Sequence, residues 1–255
     1  MKKRYLWVLV SVFFVGLFSI GLNAQEEEAS DQAIDDASVY IVHGVPGLDI
    51  GEEATYPVDI YINGTKRLSA IKYGQIKRVK IPSGTASIEF YKVGMGPEAG
   101  YPPVISGNFI FKKQETASIV AYLHPDGEVR FVKFTNDFSP AGDPSKCRVI
   151  VHNTSEEAQL LFYLYNKRQK DNHPWVENDV LETGDKNVFE IAKQSLVGYY
   201  NGTWIWWLHL DDGTHMVNVY DKPLSIKAGK GILVYLVGSR ATKTFKVIKK
   251  VVPLK

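Results

Sequence analysis

Apolar and polar residues alternate over short stretches along most of the chain. The first clear stretch covers residues 39–43 and ends at a Gly/Pro-rich turn over 44–47. A second covers residues 57–62 and stops at Asn63-Gly64. A period of two predicts β-strands, and Asn-Gly between two strands predicts a tight hairpin. The segment 38–63 therefore predicts a strand, a turn and a second strand.

The same alternation continues to residue 134. His124-Pro125-Asp126-Gly127 fits a type I turn with Gly127 in the left-handed region. Residues 94–103, rich in Gly and Pro, cannot lie inside a strand and predict an exposed loop. Further strands are predicted over 66–71, 75–81, 85–93, 104–111, 116–123 and 128–134.

The second half of the chain repeats this order from Cys147. Residues 147–152 resemble 39–43, which places His152 at the position of His43. Only residues 189–197 are compatible with a helical turn. Short strands with frequent turns predict an all-β protein of two tandem antiparallel β-sandwiches, immunoglobulin- or prealbumin-like. The predicted domains are 38–138 and 146–255, the second divergent, joined by a linker over 139–145.

The N-terminus has the pattern of a signal peptide. Lys2-Lys3-Arg4 precedes an uncharged apolar run over 5–22, and Leu22-Asn23-Ala24 fits a cleavage site. We expect a signal peptide over 1–24, an acidic disordered linker over 25–37, and no transmembrane segment after cleavage. The alternative is a retained anchor, because the apolar run is about long enough to cross a bilayer.

Charge and cysteine content narrow the class of protein. The chain has 30 basic and 28 acidic residues. Removing Lys2, Lys3 and Arg4 leaves 30 − 3 = 27 basic residues, which is not the balance of a nucleic-acid-binding protein. Cys147 is the single cysteine, so no intrachain disulfide forms, and we expect it to be buried. Export without disulfides favours a bacterial envelope.

Four motifs resemble the domain-of-unknown-function 4397 family: VYIVHGVP from Val39, VDIYING from Val58, IPSGT from Ile81 and ASIV from Ala117. The resemblance implies a bacterial cell-envelope or secreted β-sandwich protein, with tandem copies common and no agreed biochemical activity. In the second half, Leu161 stands where Asp59 is expected and Asn153-Thr-Ser replaces the Pro46 turn.

His43 and Asp59 form the first candidate pair. We expect them on adjacent strands, with the imidazole donating to the carboxylate so that both polar groups are satisfied. The alternative is a His-carboxylate pair for proton transfer or metal binding.

His209, Asp211 and His215 surround a predicted hairpin tip. With residues 211–213 as a three-residue loop, the two histidines lie opposite each other and a zinc ion could bind. With Asp212-Gly213 as a two-residue turn, the histidines point apart. Ordinary turn chemistry explains the same residues.

The densest aromatic cluster could form a ligand or partner surface. An exposed Trp beside Tyr residues is a platform for a sugar ring or a protein. The alternative is that both faces of the strand are covered. The residues are Trp175, Tyr199, Tyr200, Trp204, Trp206 and Trp207.

These patterns predict a non-enzymatic exported protein that acts as a structural or protein-interaction module. One alternative is carbohydrate or small-ligand binding at Trp204–Trp207, and a second is a metal-dependent enzyme centred on His209 and His215. We expect no cofactor, an envelope protein or glycan as partner, no nucleic acid, and a location in the periplasm or at the cell surface.

Overall fold

A computed structural model describes residues 35–47, 57–140, 142–143, 146–157, 159–160, 181–192, 208–211, 216–220 and 229–254. Strands dominate these residues, which confirms the all-β class. The elements are β1 Ala37–Gly44, β2 Val58–Ile62, β3 Thr65–Ile71, β4 Ile76–Ile81, β5 Gly84–Lys92, a 3-10 turn Pro97–Ala99, β6 Ile105–Phe111, β7 Thr116–Leu123, β8 Val129–Thr135, β9 Lys146–Ser155, β10 Gln159–Leu160, β11 Leu181–Glu182, β12 Lys186–Ala192, β13 Leu208–Asp211, β14 Met216–Tyr220, β15 Lys230–Gly238 and β16 Lys246–Pro253.

Three four-stranded sheets carry most of the fold. Sheet A has the order β4-β1-β7-β8, sheet B the order β3-β2-β5-β6, and sheet C the order β12-β9-β15-β16. In sheet A, β1 runs antiparallel to β4 and parallel to β7. In sheet C, β9 runs antiparallel to β12 and parallel to β15. Sheets A and C therefore share one strand topology, and each contains a parallel pair that the alternation of residues did not reveal.

The first core lies between sheets A and B. Val39 and Ile41 of β1 pack with Ile60 of β2 and with Ile88 and Phe90 of β5, all of them buried. These residues lie two apart on each strand, so they share a face of their sheet. The predicted period of two thus builds this core.

A second core lies on the opposite face of sheet A. Tyr40 and Val42, which alternate with the residues of the first core, pack in one cluster with Ile150, Leu233 and Tyr235 of sheet C. Every residue of β1 is buried for this reason. Sheet A is therefore the middle layer of a three-layer stack, covered by sheet B on one face and by sheet C on the other.

Two predicted turns have the expected backbone. Asn63 and Gly64 adopt φ angles of 50° and 73°, the left-handed pair that a tight hairpin between β2 and β3 requires. Gly127 adopts φ 88° between β7 and β8. Both turn predictions are confirmed.

A helical turn, with which residues 189–197 are compatible by sequence, does not form where the structure describes them. Residues up to Ala192 belong to β12, which pairs along its length with β9. Cross-strand pairing overrides the weak local preference, because the ladder satisfies the backbone groups. Residues 193–197 lie outside the described residues.

The predicted equivalence of His43 and His152 also needs correction. The Gly74 amide donates to the carbonyl of His43 over 2.8 Å, and the Gly184 amide donates to the carbonyl of Asn153 over 2.7 Å. Backbone pairing therefore places Asn153, and not His152, at the position of His43. A shift of one residue moves a side chain to the other face of a strand, and the similar letters concealed it.

The N-terminal predictions fall on residues outside this description. Residues 1–34 include the expected signal peptide and most of the acidic linker, so both stay predictions. No helix long and apolar enough to cross a membrane occurs in the described part of the chain.

Candidate functional site on the outer face of sheet B

His43 and Asp59 do not lie on adjacent strands. His43 is on β1 of sheet A, with its ring 6.1 Å from the ring of Phe90 inside the first core. Asp59 is on β2 of sheet B and alternates with Val58 and Ile60, which face that core. The Asp59 side chain therefore points to the outer face of sheet B. The predicted adjacency is wrong, because the two strands belong to different layers.

Asp59 is instead the centre of a polar cluster beneath a loop. Lys66 donates from Nζ to Asp59 Oδ2 over 2.8 Å, and the Ala70 amide donates to Oδ1 over 3.0 Å. The residue is 2% exposed. Burial alone would raise the pKa of Asp59, but the hydrogen bonds from Lys66 and from the Ala70 and Gly94 amides outweigh it and lower the pKa. The carboxylate is thus ionised and held at three points.

The loop that connects β5 to β6, residues 93–104, is fixed to this cluster. Tyr61 donates from Oη to Glu98 Oε1 over 2.6 Å, and Lys66 Nζ lies 3.7 Å from the same oxygen. The hydrogen bond from Tyr61 lowers the pKa of Glu98, and Lys66 adds to the effect. A Cβ on Gly96 would collide with Tyr61 Oη and with the Glu98 carboxylate. The close approach of the loop to sheet B thus favours glycine at 96.

The same loop exposes apolar side chains at its surface. Val93 is 46% exposed, Met95 is 41% exposed and Tyr101 is 51% exposed. A 3-10 turn, Pro97–Ala99, lies between Met95 and Tyr101. After Tyr101, the Val104 amide donates to the carbonyl of Phe90 over 2.7 Å, which returns the chain to sheet B. A clamped base with an apolar surface is the arrangement expected of a binding loop on a rigid scaffold.

A second polar cluster is sealed between sheets A and C. His152 is fully buried, with Nδ1 3.0 Å from Val234 O and Nε2 3.0 Å from the Asn136 amide. Asn136 bonds Ser118 over 2.6 Å, and Ser118 bonds the Tyr235 hydroxyl over 2.5 Å. Burial lowers the pKa of His152 to about 3, although the bond to Val234 opposes this. The imidazole is neutral at physiological pH.

The hydrogen bonds continue from His152 to the hydroxyl of Tyr235. Asn136 Oδ1 lies at His152 Nε2, and Asn136 donates from Nδ2 to Ser118 Oγ. Ser118 Oγ in turn shares a hydrogen bond with the Tyr235 hydroxyl. Every member of the chain is satisfied, so the cluster serves as an internal support.

The hairpin that carries the candidate zinc ligands His209, Asp211 and His215 has neither of the two registers considered from the sequence. Asp211 pairs with Met216, and His209 pairs with Asn218. His209 is therefore not opposite His215, because four residues rather than two or three connect the paired positions. His215 itself lies outside the described residues. In the described part of the chain, no three His, Cys, Asp or Glu residues are grouped as a metal site.

The residues of the candidate aromatic surface lie outside the described part of the chain, so the carbohydrate alternative built on them stays a prediction. They are Trp175, Tyr199, Tyr200, Trp204, Trp206 and Trp207. Cys147, by contrast, is described and is buried as predicted.

Sequence reasoning overlooked most of the residues that hold the loop. Tyr61 lies two positions after Asp59, and Lys66 pairs with Tyr61 across the hairpin. Those positions share a face, so the predicted Asn63-Gly64 turn could have identified both. Glu98 gave no comparable indication, because it sits in a loop whose path the sequence does not specify.

A family model matches part of the chain. Residues 37–161 match the family described as Domain of unknown function (DUF4397). The matched segment continues past β8 and includes β9 of sheet C. No curated protein matches the chain.

Several solved structures resemble the chain at low identity. The tip fimbrial protein Mfa3 of Porphyromonas gingivalis, with a C-terminal truncation, is 12% identical with a TM-score of 0.26, covering 85% of this chain and 99% of that one. The Bacillus anthracis TIE protein is 10% identical with a TM-score of 0.23, covering 80% and 34%. The family 26 carbohydrate-binding module CBMbc of Eubacterium rectale Amy13K, in complex with maltoheptaose, is 10% identical with a TM-score of 0.25, covering 86% and 97%. At these TM-scores the likeness supports no conclusion about this chain.

Proposed function

We propose that the protein is a non-enzymatic exported envelope protein that acts as a structural or protein-interaction module, with the β5–β6 loop as its contact element. The observation that carries the proposal is the contrast between the two sides of the loop. Its base is held by Asp59, Lys66, Tyr61 and Glu98, while its apolar side chains face solvent.

This contrast favours binding for two physical reasons. A loop already fixed to its sheet loses little conformational entropy when a partner binds. Tyr and Met are enriched at protein interfaces, and here Tyr101 and Met95 are the exposed residues. The partner is an envelope protein or a glycan that covers these side chains.

The polar groups beneath the loop support a role in binding rather than catalysis. Asp59, Tyr61, Lys66 and Glu98 are engaged with one another. A catalytic base or nucleophile needs access to a substrate atom at hydrogen-bond distance. These four side chains hold the loop in place, so their role is structural.

Export is supported by the N-terminal pattern and by the family. The basic Lys2-Lys3-Arg4, the apolar run and the cleavage pattern at Ala24 predict release of a chain that starts at Gln25. Fractionation of cells that produce the full chain tests this part. We expect the processed protein in the periplasm or at the surface, and recovery of unprocessed protein in the cytoplasm would contradict export.

Site-specific photocrosslinking tests the contact element. A photoreactive phenylalanine analogue replaces Tyr101 in the full chain, within cells of the source bacterium, and the matched control places it at Ile110, which is 70% exposed on β6. We expect a discrete crosslinked species from position 101 that is absent from position 110. Equal labelling at both positions, or none at 101, would overturn the assignment of the loop.

A further inference from the structure

Sheets A and C bring two edge strands of the stack together, β4 and β16. The hydroxyl of Tyr73, just before β4, donates to the carbonyl of Thr244, just before β16, over 2.6 Å. Lys246 at the start of β16 lies with Nζ 4.4 Å from the centre of the Tyr73 ring. Ile76 and Ile248 then pack in the same core cluster. The two edge strands therefore meet where each of them begins, and we call this boundary a seam.

On β4, two basic side chains face the seam. Arg78 is directly opposite Tyr40 and Lys80 is directly opposite Ser38 in the antiparallel pair with β1. Directly opposite residues share a face, and Tyr40 packs in the core between sheets A and C. Arg78 and Lys80 are both exposed at that edge. Lys77 directly precedes Arg78, so its side chain lies on the opposite face of β4.

On β16, two more basic side chains face the seam from the other side. Lys246 and Lys250 alternate into the same face as Ile248 and Val252, which are buried against sheet A. Both lysines are exposed. We call Arg78, Lys80, Lys246 and Lys250 together the basic seam.

The residues of the basic seam have no carboxylate partner among the described residues, unlike several other cationic residues of the sheets. Lys66, Lys133 and Arg148 each form ion pairs with Asp or Glu. Within the described part of the chain, none of the four seam residues lies in an ion pair. Arg78 donates from Nε to the neutral Ser38 hydroxyl over 2.6 Å.

A row of unpaired like charges raises the local potential. The mature chain has 27 basic residues, from 30 − 3, against 28 acidic ones, so the positive field arises from local placement and not from net charge. Such a field concentrates anions at the surface. Like charges held side by side oppose folding unless something else favours them.

We propose that the basic seam binds a linear anionic glycan, a polysaccharide that carries carboxylate, sulfate or phosphate groups. Along β4, Arg78 and Lys80 are about 6.6 Å apart, and along β16, Lys246 and Lys250 are about 13 Å apart, so each strand presents its charges in a row suited to a polymer. The apolar side chains that alternate with the cations, Ile76, Ile248 and Val252, are packed inward, which leaves no apolar wedge for a membrane. Tyr40 and Tyr73 are buried, so neither offers a stacking surface for a nucleobase.

Binding of the mature full chain to two model polyanions tests this proposal. Heparin supplies sulfate groups and alginate supplies carboxylates, with neutral dextran as a control, and affinity is measured as a function of salt. We expect saturable binding to at least one polyanion that weakens as salt rises, because bound counterions are released, and no binding to dextran.

A matched pair of double variants locates the site. Arg78→Gln with Lys250→Gln removes two seam charges, and Lys77→Gln with Lys249→Gln removes two charges from the opposite faces of the same strands. We expect the first variant to lose affinity by about tenfold or more and the second by about twofold at most. Equal melting temperatures of the two variants establish that neither effect comes from unfolding.

Three results would overturn the proposal. They are absence of binding to both polyanions at low salt, equal losses in the two double variants, and tighter binding to anionic phospholipid vesicles or single-stranded DNA than to either polyanion. The seam lies on sheets A and C, whereas the β5–β6 loop lies on sheet B. If the seam fails to bind polyanions, the crosslinking result at position 101 is therefore unaffected.

Discussion

The imidazole of His152 stacks on the ring of Tyr235, with centroids 4.5 Å apart and planes 9° from parallel. Phe134 of sheet A covers the imidazole from the other sheet at 4.6 Å. The stack therefore forms part of the contact between sheets A and C. It removes a titratable group from water, which ties the stability of the fold to pH.

We predict that the protein becomes less stable as the pH falls below about 6.5, the usual pKa of an exposed histidine. The pKa of His152 is about 3 in the folded protein. Between these values the unfolded chain binds more protons than the folded one, so the free energy of unfolding falls by up to about 1.4 kcal/mol for each pH unit.

Urea denaturation between these pH values measures the effect. His152→Phe keeps an aromatic ring against Tyr235 and cannot titrate, so its free energy of unfolding should be lower at neutral pH but flatter with pH. A variant that loses stability with acid as steeply as the unmodified protein would show that other groups cause the dependence.

Removal of the Tyr235 hydroxyl should destabilise the fold. Tyr235→Phe deletes the partner of Ser118 in a fully buried chain of hydrogen bonds. We expect the free energy of unfolding to fall by about 1–2 kcal/mol. Tyr101→Phe, at an exposed position, is the control and should shift stability by less than about 0.5 kcal/mol. Chemical denaturation compares the two, and equal stabilities would contradict the role of the buried chain.

The Asp59 carboxylate should stabilise the fold more than an ion pair with one exposed lysine would. Asp59→Asn keeps the size of the side chain but removes the charge that Lys66 and the Ala70 amide hold. We expect a loss of about 1–3 kcal/mol in the free energy of unfolding. Glu128→Gln, at an exposed site, should change it by no more than about 0.5 kcal/mol. Coincident melting curves for Asp59→Asn and the unmodified protein would refute this.

A methyl group at position 96 should displace the β5–β6 loop. Gly96 has an ordinary extended backbone, so Gly96→Ala introduces no backbone strain, only close contacts with Tyr61 Oη and the Glu98 carboxylate. We expect the crosslink from position 101 to weaken while the cores between the sheets stay intact. A crosslink as strong as that of the chain with glycine at 96 would show that these contacts do not set the loop position.

Several features of the fold could be predicted from the sequence because they depend on neighbours along the chain. The strand Thr116–Leu123 and the Asn63-Gly64 turn follow from side-chain alternation and from backbone preference. The register of β13 with β14 could not be predicted in the same way, because it depends on the loop between the strands. The placement of Asp59 was missed because its strand pairs within sheet B.

The sequence by itself determined where the chain forms strands, because side chains alternate between the two faces of a strand and most strands have one polar and one apolar face. It also determined that β1 is different and has two apolar faces, with Val39 and Ile41 on one and Tyr40 and Val42 on the other. Only the tertiary structure decided which sheet covers each face, and only that stacking brings Arg78 beside the strand that carries Lys250. The alternation of side chains is a property of a single strand. A seam between two strands or a loop held against a sheet depends instead on how whole sheets pack together.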